Sequence, residues 1–183
     1  KLMIPVAASI LLLCLAAHAG SNAARIDING MGSGIALSPD DADGGTIGNP
    51  SWLGDKKQMY ISTNFPATGE WKKSSLVFTP SKDGMVSISL MGEFADKAED
   101  RSWILFDNVK ADGAFIKNGD FEDSSSAWSN YNTQQDGKKA QLSSVPQSGK
   151  NSMKTNHDHR IMQNIHVSAG KAVSITFFFK LAQ

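Results

Sequence analysis

Cysteine is nearly absent from this sequence of 183 residues. The single cysteine, Cys14, lies inside an apolar N-terminal run, and the rest of the chain holds none. That part of the chain therefore forms no disulfide and offers no cysteine nucleophile. We expect its stability to come from a hydrophobic core or from a bound metal.

An excess of either charge is also absent. Lysine and arginine together number 18, and aspartate and glutamate together number 18. The sequence shows no basic stripe that would neutralise a row of phosphates, so we expect no nucleic-acid partner.

The patterns of common enzyme classes are missing as well. The chain has no Gly-x-Ser-x-Gly elbow and no glycine-rich phosphate loop ahead of a helix. Its glutamates show no arrangement that predicts the paired carboxylates of glycoside hydrolysis. We therefore expect no catalytic activity from the chain itself.

The N-terminus carries a targeting pattern. Lys1 is followed by an apolar run over residues 2–15 and then by Ala17-His18-Ala19. This order predicts a secretory signal peptide over residues 1–19. The alternative is a membrane anchor, but the run is shorter than the ~20 residues that a spanning helix requires. We expect a secreted or periplasmic protein with no membrane contact after cleavage, and one domain over residues 25–183.

Alternation of apolar and polar residues predicts an all-β fold. The strongest example places Val173, Ile175, Phe177, Phe179 and Leu181 on one face. The other segments predicted as strands are 25–30, 59–62, 71–79, 85–91, 103–109 and 161–167. Residues 93–100 are charged and are expected to form one helical turn or a loop.

The stretch 114–122 carries the most specific pattern. It contains Asn118-Gly119-Asp120-Phe121-Glu122, is expected to open a strand, and is followed by Trp128 and by Ser148-Gly149-Lys150. Residues 114–183 resemble the opening half of the galactose-binding-like jelly rolls, as in carbohydrate-binding module families four, nine and twenty-two. The resemblance implies a jelly-roll β-sandwich and a monomeric, non-catalytic module that targets a polysaccharide-degrading protein to a polysaccharide or oligosaccharide.

The two halves of the chain stand in an unusual order. Residues 103–109 look like the last strand of such a jelly roll, yet they precede the stretch that looks like the first. Either the sandwich is circularly permuted, with second-half strands in 25–113 and first-half strands in 114–183, or the chain is a fragment of a larger glycoside hydrolase. A structural or adhesion sandwich without sugar binding is a further alternative.

The resemblance also implies a structural calcium ion, since calcium prefers hard oxygen ligands. The ligands that it implies are Asp107, Asp120, Glu122 and the backbone at Lys150. The alternative is that these carboxylates are exposed or paired with Lys117 or Arg101.

Aromatic residues offer a platform for sugar rings. We predict that Trp52 and Tyr131, which lie among Gly, Asn and Ser, and Tyr60, which faces opposite Met59 and Ile61, bind sugar. Those predicted to pack in the core are Trp71, Trp103 and Trp128.

Two further polar clusters are weaker candidates for metal binding. Asp40, Asp41 and Asp43 lack the EF-hand spacing and are expected to form a solvated loop. His157-Asp158-His159 suggests zinc, but an exposed hairpin loop is the expected structure.

Overall fold

The computed structural model describes residues 22–31, 37–38, 46–47, 58–80, 82–134 and 136–183. The predicted signal peptide, Trp52 and the Asp40–Asp43 cluster lie outside this part of the chain. No helix in the described part is long and apolar enough to cross a membrane. Its one helical element is a 3₁₀ turn at Ala98–Asp100, which agrees with the expected turn or loop.

The described part is an all-β sandwich. Its strands are β1 Ala23–Met31, β2 Leu37–Ser38, β3 Thr46–Ile47, β4 Gln58–Pro66, β5 Lys72–Phe78, β6 Gly84–Gly92, β7 Ile104–Asp112, β8 Ser129–Asn132, β9 Gln141–Ser143, β10 Ser152–Thr155, β11 His159–Val167 and β12 Val173–Leu181. The predicted strands at 25–30, 59–62, 71–79, 85–91, 103–109, 161–167 and 173–181 are confirmed.

Two antiparallel sheets face each other, each with five longer strands and one two-residue edge strand. The first sheet has the order β3-β4-β1-β6-β11-β8, and the second has the order β2-β5-β12-β7-β10-β9. Strands from residues 25–113 and from residues 114–183 therefore occur side by side in both sheets. The strand predicted at 103–109 becomes β7, which is central because it lies between β12 and β10.

The core lies between the sheets and follows the alternation in the sequence. Val173, Ile175, Phe177 and Phe179 of β12 are buried, and their neighbours along the strand are not. Each fully buried side chain of this size contributes roughly 1.5–3 kcal/mol. A register shift by one residue would turn this row to solvent, so the core fixes which side chains of β12 face outward.

A β-bulge interrupts the pairing of β12 with β7. Thr176 pairs with Lys110, but Phe178 pairs with Asp107, so β7 has one extra residue at this point. Asn108 lies in the bulge with φ of 50°, in the left-handed region that asparagine tolerates better than most residues. Bulges re-aim side chains, and this one places Asn108 on the outer surface of the second sheet.

Candidate functional site

The segment 114–122 is a loop, and the prediction that it opens a strand is wrong. Asn118 and Phe121 have φ of 50° and 56°, which an extended strand excludes. The Asn118 side chain instead organises the loop by donating to the carbonyl oxygens of Asp123, Ser124 and Ser126. Phe121 is fully buried and packs against Trp128 at 5.6 Å between ring centroids, so burial offsets the cost of its backbone conformation.

This loop nevertheless lies directly against β7. The Val109 N–H donates to the Gly119 carbonyl at 2.8 Å. A Cβ atom on Gly119 would lie 1.9 Å from the Val109 oxygen, so only glycine allows the approach. On the other side, the Gln163 amide both accepts from the Lys117 N–H at 2.8 Å and donates to the Lys117 carbonyl at 2.9 Å.

The carboxylates of Asp107 and Glu122 hold one loop, residues 147–151. Asp107 is fully buried, and its Oδ2 accepts the backbone N–H groups of Gln147 at 2.8 Å and Ser148 at 3.2 Å. Glu122 Oε1 accepts the backbone N–H groups of Lys150 at 2.8 Å and Asn151 at 2.9 Å. Two acids that are distant in sequence from the 147–151 loop therefore fix this loop against the sandwich.

The environments of Asp107 and Glu122 shift the pKa values of the two carboxyl groups in opposite directions. Burial raises the pKa of Asp107, and the backbone N–H groups of Ser148, Gln147 and Asn108 oppose that shift without cancelling it. The backbone N–H groups of Lys150 and Asn151 lower the pKa of Glu122. The nearby charge of Glu122 adds to the rise at Asp107, so the two carboxylates lie close enough to interact.

Two of the predicted calcium ligands, Asp107 and Glu122, bind backbone N–H groups in this arrangement. Asp107 accepts three backbone N–H groups, including that of Asn108 at 2.6 Å, and Glu122 accepts two. Two N–H groups donate to Asp107 Oδ2 and two donate to Glu122 Oε1, so these two oxygens are already used as hydrogen-bond acceptors. Asp120 is exposed, and the described residues contain no group of three or more acidic, histidine or cysteine side chains placed to hold a metal.

A cleft opens on the outer face of the second sheet, beside the 147–151 loop. We call it the Phe178 cleft, and its volume is about 260 Å³. The residues that line it are Lys73 of β5, Asn108 and Lys110 of β7, Gln147 and Ser148 of the loop, and Thr176 and Phe178 of β12. An aromatic ring is thus surrounded by amide, hydroxyl and ammonium groups.

Asn108 couples the wall of the cleft to the bulge. Its Nδ2 donates to Gln147 Oε1 at 2.8 Å and to Ser148 Oγ at 2.8 Å. Asp107 holds the backbone of the same two residues. The wall is therefore fixed before any ligand arrives, and preorganised polar groups lose less entropy on binding.

Of the three residues predicted to bind sugar, Trp52 lies outside the described residues, and Tyr60 and Tyr131 are in the first sheet. Tyr131, in edge strand β8, is 44% exposed, and the Arg160 guanidinium lies 4.4 Å from its ring centroid. Tyr60 is in β4 opposite Asn29, with three strands between it and β8. The sheet order therefore keeps the strands that carry Tyr60 and Tyr131 apart, and Tyr131 does not line the Phe178 cleft.

The expectation of an exposed hairpin at residues 157–159 is wrong. Asp158 and His159 are 3% and 5% exposed. The Arg101 Nη1 atom lies 2.7 and 2.6 Å from the two Asp158 oxygens. His159 lies between Asn156 and Asp136, with ring nitrogens at 3.0 and 3.1 Å from their oxygens. These contacts explain the polar cluster without zinc.

The remaining tryptophans divide between core and surface. Trp128 is 5% exposed, so its predicted core position is confirmed, and its indole N–H donates to the Asn118 carbonyl at 3.0 Å. Trp103 and Trp71 are only partly buried. Trp103 stacks on the His159 ring at 5.5 Å, and its predicted core position is not found.

The sequence did carry one signal for the Phe178 cleft. In Phe177-Phe178-Phe179 the first and third rings belong to the inward row, which leaves Phe178 as an aromatic residue on the outer face.

Comparison with known proteins finds no match: no family model, curated protein or solved structure matches this chain.

Proposed function

We propose that this chain is a secreted, non-catalytic carbohydrate-binding module that holds a polysaccharide or oligosaccharide in the Phe178 cleft. The observation that carries the proposal is the ring of Phe178 set among fixed hydrogen-bonding groups. A sugar ring presents an apolar C–H face to an aromatic plane and hydroxyl groups to amides and hydroxyls. Ligand sites commonly combine apolar surface with a few well-placed polar groups of this kind.

We propose that the chain belongs to the galactose-binding-like jelly rolls. We also propose that residues 1–19 are a signal peptide. Support for the family comes from the contact of Gly119 with Val109 and from the shared hold of Asp107 and Glu122 on the 147–151 loop. The permuted order is supported by the mixing of strands from 25–113 and 114–183 in both sheets. In this proposal the module serves a polysaccharide-degrading protein by keeping it on its substrate.

The test is retention on polysaccharides. The wild-type chain is run in native gels that contain soluble polysaccharides. In a second assay it is mixed with insoluble polysaccharides, and the bound fraction is measured. We expect Phe178→Ala to weaken retention by about tenfold, which corresponds to about 1.4 kcal/mol. Phe115→Ala is the matched control, because Phe115 is 76% exposed and outside the cleft. Thermal melts check that both variants fold.

Each other result has a definite meaning. Equal retention by wild type and Phe178→Ala, with loss in Tyr131→Ala, would place binding on the first sheet instead of the cleft. Failure of the wild type to bind any polysaccharide would contradict the proposal and favour a structural or adhesion sandwich. Hydrolysis products in the same mixtures would contradict the non-catalytic assignment and favour a fragment of a glycoside hydrolase.

A further inference from the structure

Two lysines flank the Phe178 cleft on opposite sides of β12. Lys73 of β5 pairs with Phe178, and Lys110 of β7 pairs with Thr176. Paired residues share a face of the sheet, so both side chains are on the outer surface, where both lysines are exposed. Because neighbouring strands lie about 5 Å apart, β5 and β7 are roughly 10 Å apart, and the two lysines are also offset along β12 from Phe178 to Thr176.

Neither ammonium group is neutralised in the described part of the chain. Its ion pairs are Arg25–Asp27, Arg101–Asp158, Lys138–Asp136 and His159–Asp136, and none involves Lys73 or Lys110. Their amino groups donate no hydrogen bond to a described acceptor, whereas Lys72 next to Lys73 donates to the Pro66 carbonyl at 3.4 Å. Two unpaired cations in one small cleft create a positive potential that favours an anion.

The acids nearest the cleft do not cancel this potential by contact. Asp107 pairs with Phe178 and so lies on the same face of the sheet, but it is fully buried and its oxygens accept backbone N–H groups. Asp112 follows Lys110 on the same face of β7 but pairs with Ser174, one step further from Phe178. Neither carboxylate lines the cleft.

We propose that the Phe178 cleft binds an anionic sugar unit, with the ring over Phe178 and its carboxylate or sulfate held by Lys73 and Lys110. This inference rests on the proposed carbohydrate binding and adds the charge of the ligand. Charge-assisted hydrogen bonds from ammonium groups are stronger than neutral ones. The amide of Gln147 and the hydroxyl of Thr176 then remain for the neutral hydroxyls of the sugar.

The experiment compares polymers that differ in charge. Affinity electrophoresis uses polygalacturonate against its methyl-esterified form, and carrageenan against agarose, with double-stranded DNA as a polyanion without sugar-ring acids. The first pair reports uronate and the second reports sulfate. The variant is the double substitution Lys73→Gln/Lys110→Gln. The control is Lys82→Gln/Lys171→Gln, which removes the same charge at exposed positions outside the cleft.

We expect wild type to bind at least one acidic polymer about tenfold more tightly than its neutral partner, and binding to weaken as salt is added. The Lys73/Lys110 variant should lose this preference, whereas the Lys82/Lys171 control should keep it. Equal retention on acidic and neutral polymers would overturn the anionic ligand while leaving carbohydrate binding intact. Equal retention on DNA, or equal losses in both variants, would overturn it by showing unspecific charge attraction. Failure to bind any polysaccharide would contradict the proposed function and this inference with it.

Discussion

Two loops of this sandwich are held by buried aspartates, but the partners of those aspartates differ in charge. The 147–151 loop is held by Asp107, whose partners are neutral backbone N–H groups. The loop that contains Thr133 is held by Asp158, whose main partner is the guanidinium of Arg101. Both carboxylates are almost completely buried, at 0% and 3% exposure.

The comparison shows what decides the charge state of a buried acid. Burial alone raises the pKa of an acid. At Asp107 burial dominates, and the pKa lies above its ordinary value. At Asp158 burial also raises the pKa, but hydrogen bonds from Arg101, Thr133 and Gln134 together bring it below the ordinary value. Side-chain hydrogen bonds that include a cation therefore lower the pKa of Asp158 below its ordinary value, whereas the backbone N–H groups at Asp107 reduce the rise without reversing it.

The largest expected effect comes from removing the cation. Arg101→Met leaves Asp158 buried and unpaired, and breaking a buried pair on one side costs about 3–5 kcal/mol. Part of that loss reflects the Arg101 bond to the Ala95 carbonyl at 2.8 Å. Guanidinium denaturation measures the free energy of unfolding. The control is Lys138→Met, because the Lys138 side chain is 69% exposed in its 3.6 Å pair with Asp136, and such pairs contribute about 1 kcal/mol or less. Similar losses in both variants would contradict the distinction between buried and exposed pairs.

A smaller effect, opposite in sign at the two loops, is expected on the pH dependence of stability. Asp158 has a lowered pKa in the folded state, so its stabilisation is present above the ordinary value of 3.8 and is lost as the pH falls through the folded pKa. Asp107 has a raised pKa. The folded protein therefore takes up that proton first, and acidification from its folded pKa down to 3.8 favours folding at this site.

The variants Asp158→Asn and Asp107→Asn separate these contributions. We expect Asp158→Asn to flatten the loss of stability in acid, and Asp107→Asn to steepen it just above the ordinary aspartate pKa. Urea midpoints measured in steps from neutral to acidic pH provide the slopes. Asp112→Asn is the control, because Asp112 is an exposed acid on the same strand as Asp107. Slopes that change in the same direction in both variants would contradict the comparison.

Contacts between residues that are distant in sequence limit how much of the molecule the sequence could predict. Strands with a buried row, such as β12, were predictable because alternation depends on local residue order. The loop at 114–122 was not, because its backbone is set by the Asn118 side chain and by the distant Gln163. The burial of Asp158 could not be predicted either, since Arg101 lies 57 positions away in the sequence. The Phe178 cleft depends on a bulge that aligns β7 with β12, and register across distant strands leaves no local pattern.

The smallest effect is expected from calcium, and it tests whether the 147–151 loop is truly held without a cation. The resemblance predicts a calcium ion at Asp107, Asp120, Glu122 and the Lys150 backbone, but backbone N–H groups already donate to Asp107 Oδ2 and to Glu122 Oε1. We therefore expect the melting temperature to be the same in excess calcium and in excess chelator. A calcium-dependent rise that Glu122→Gln abolishes would contradict this expectation. It would mean that the loop can exchange backbone donors for metal, which would make the two aspartate-held loops alike in needing a positive partner.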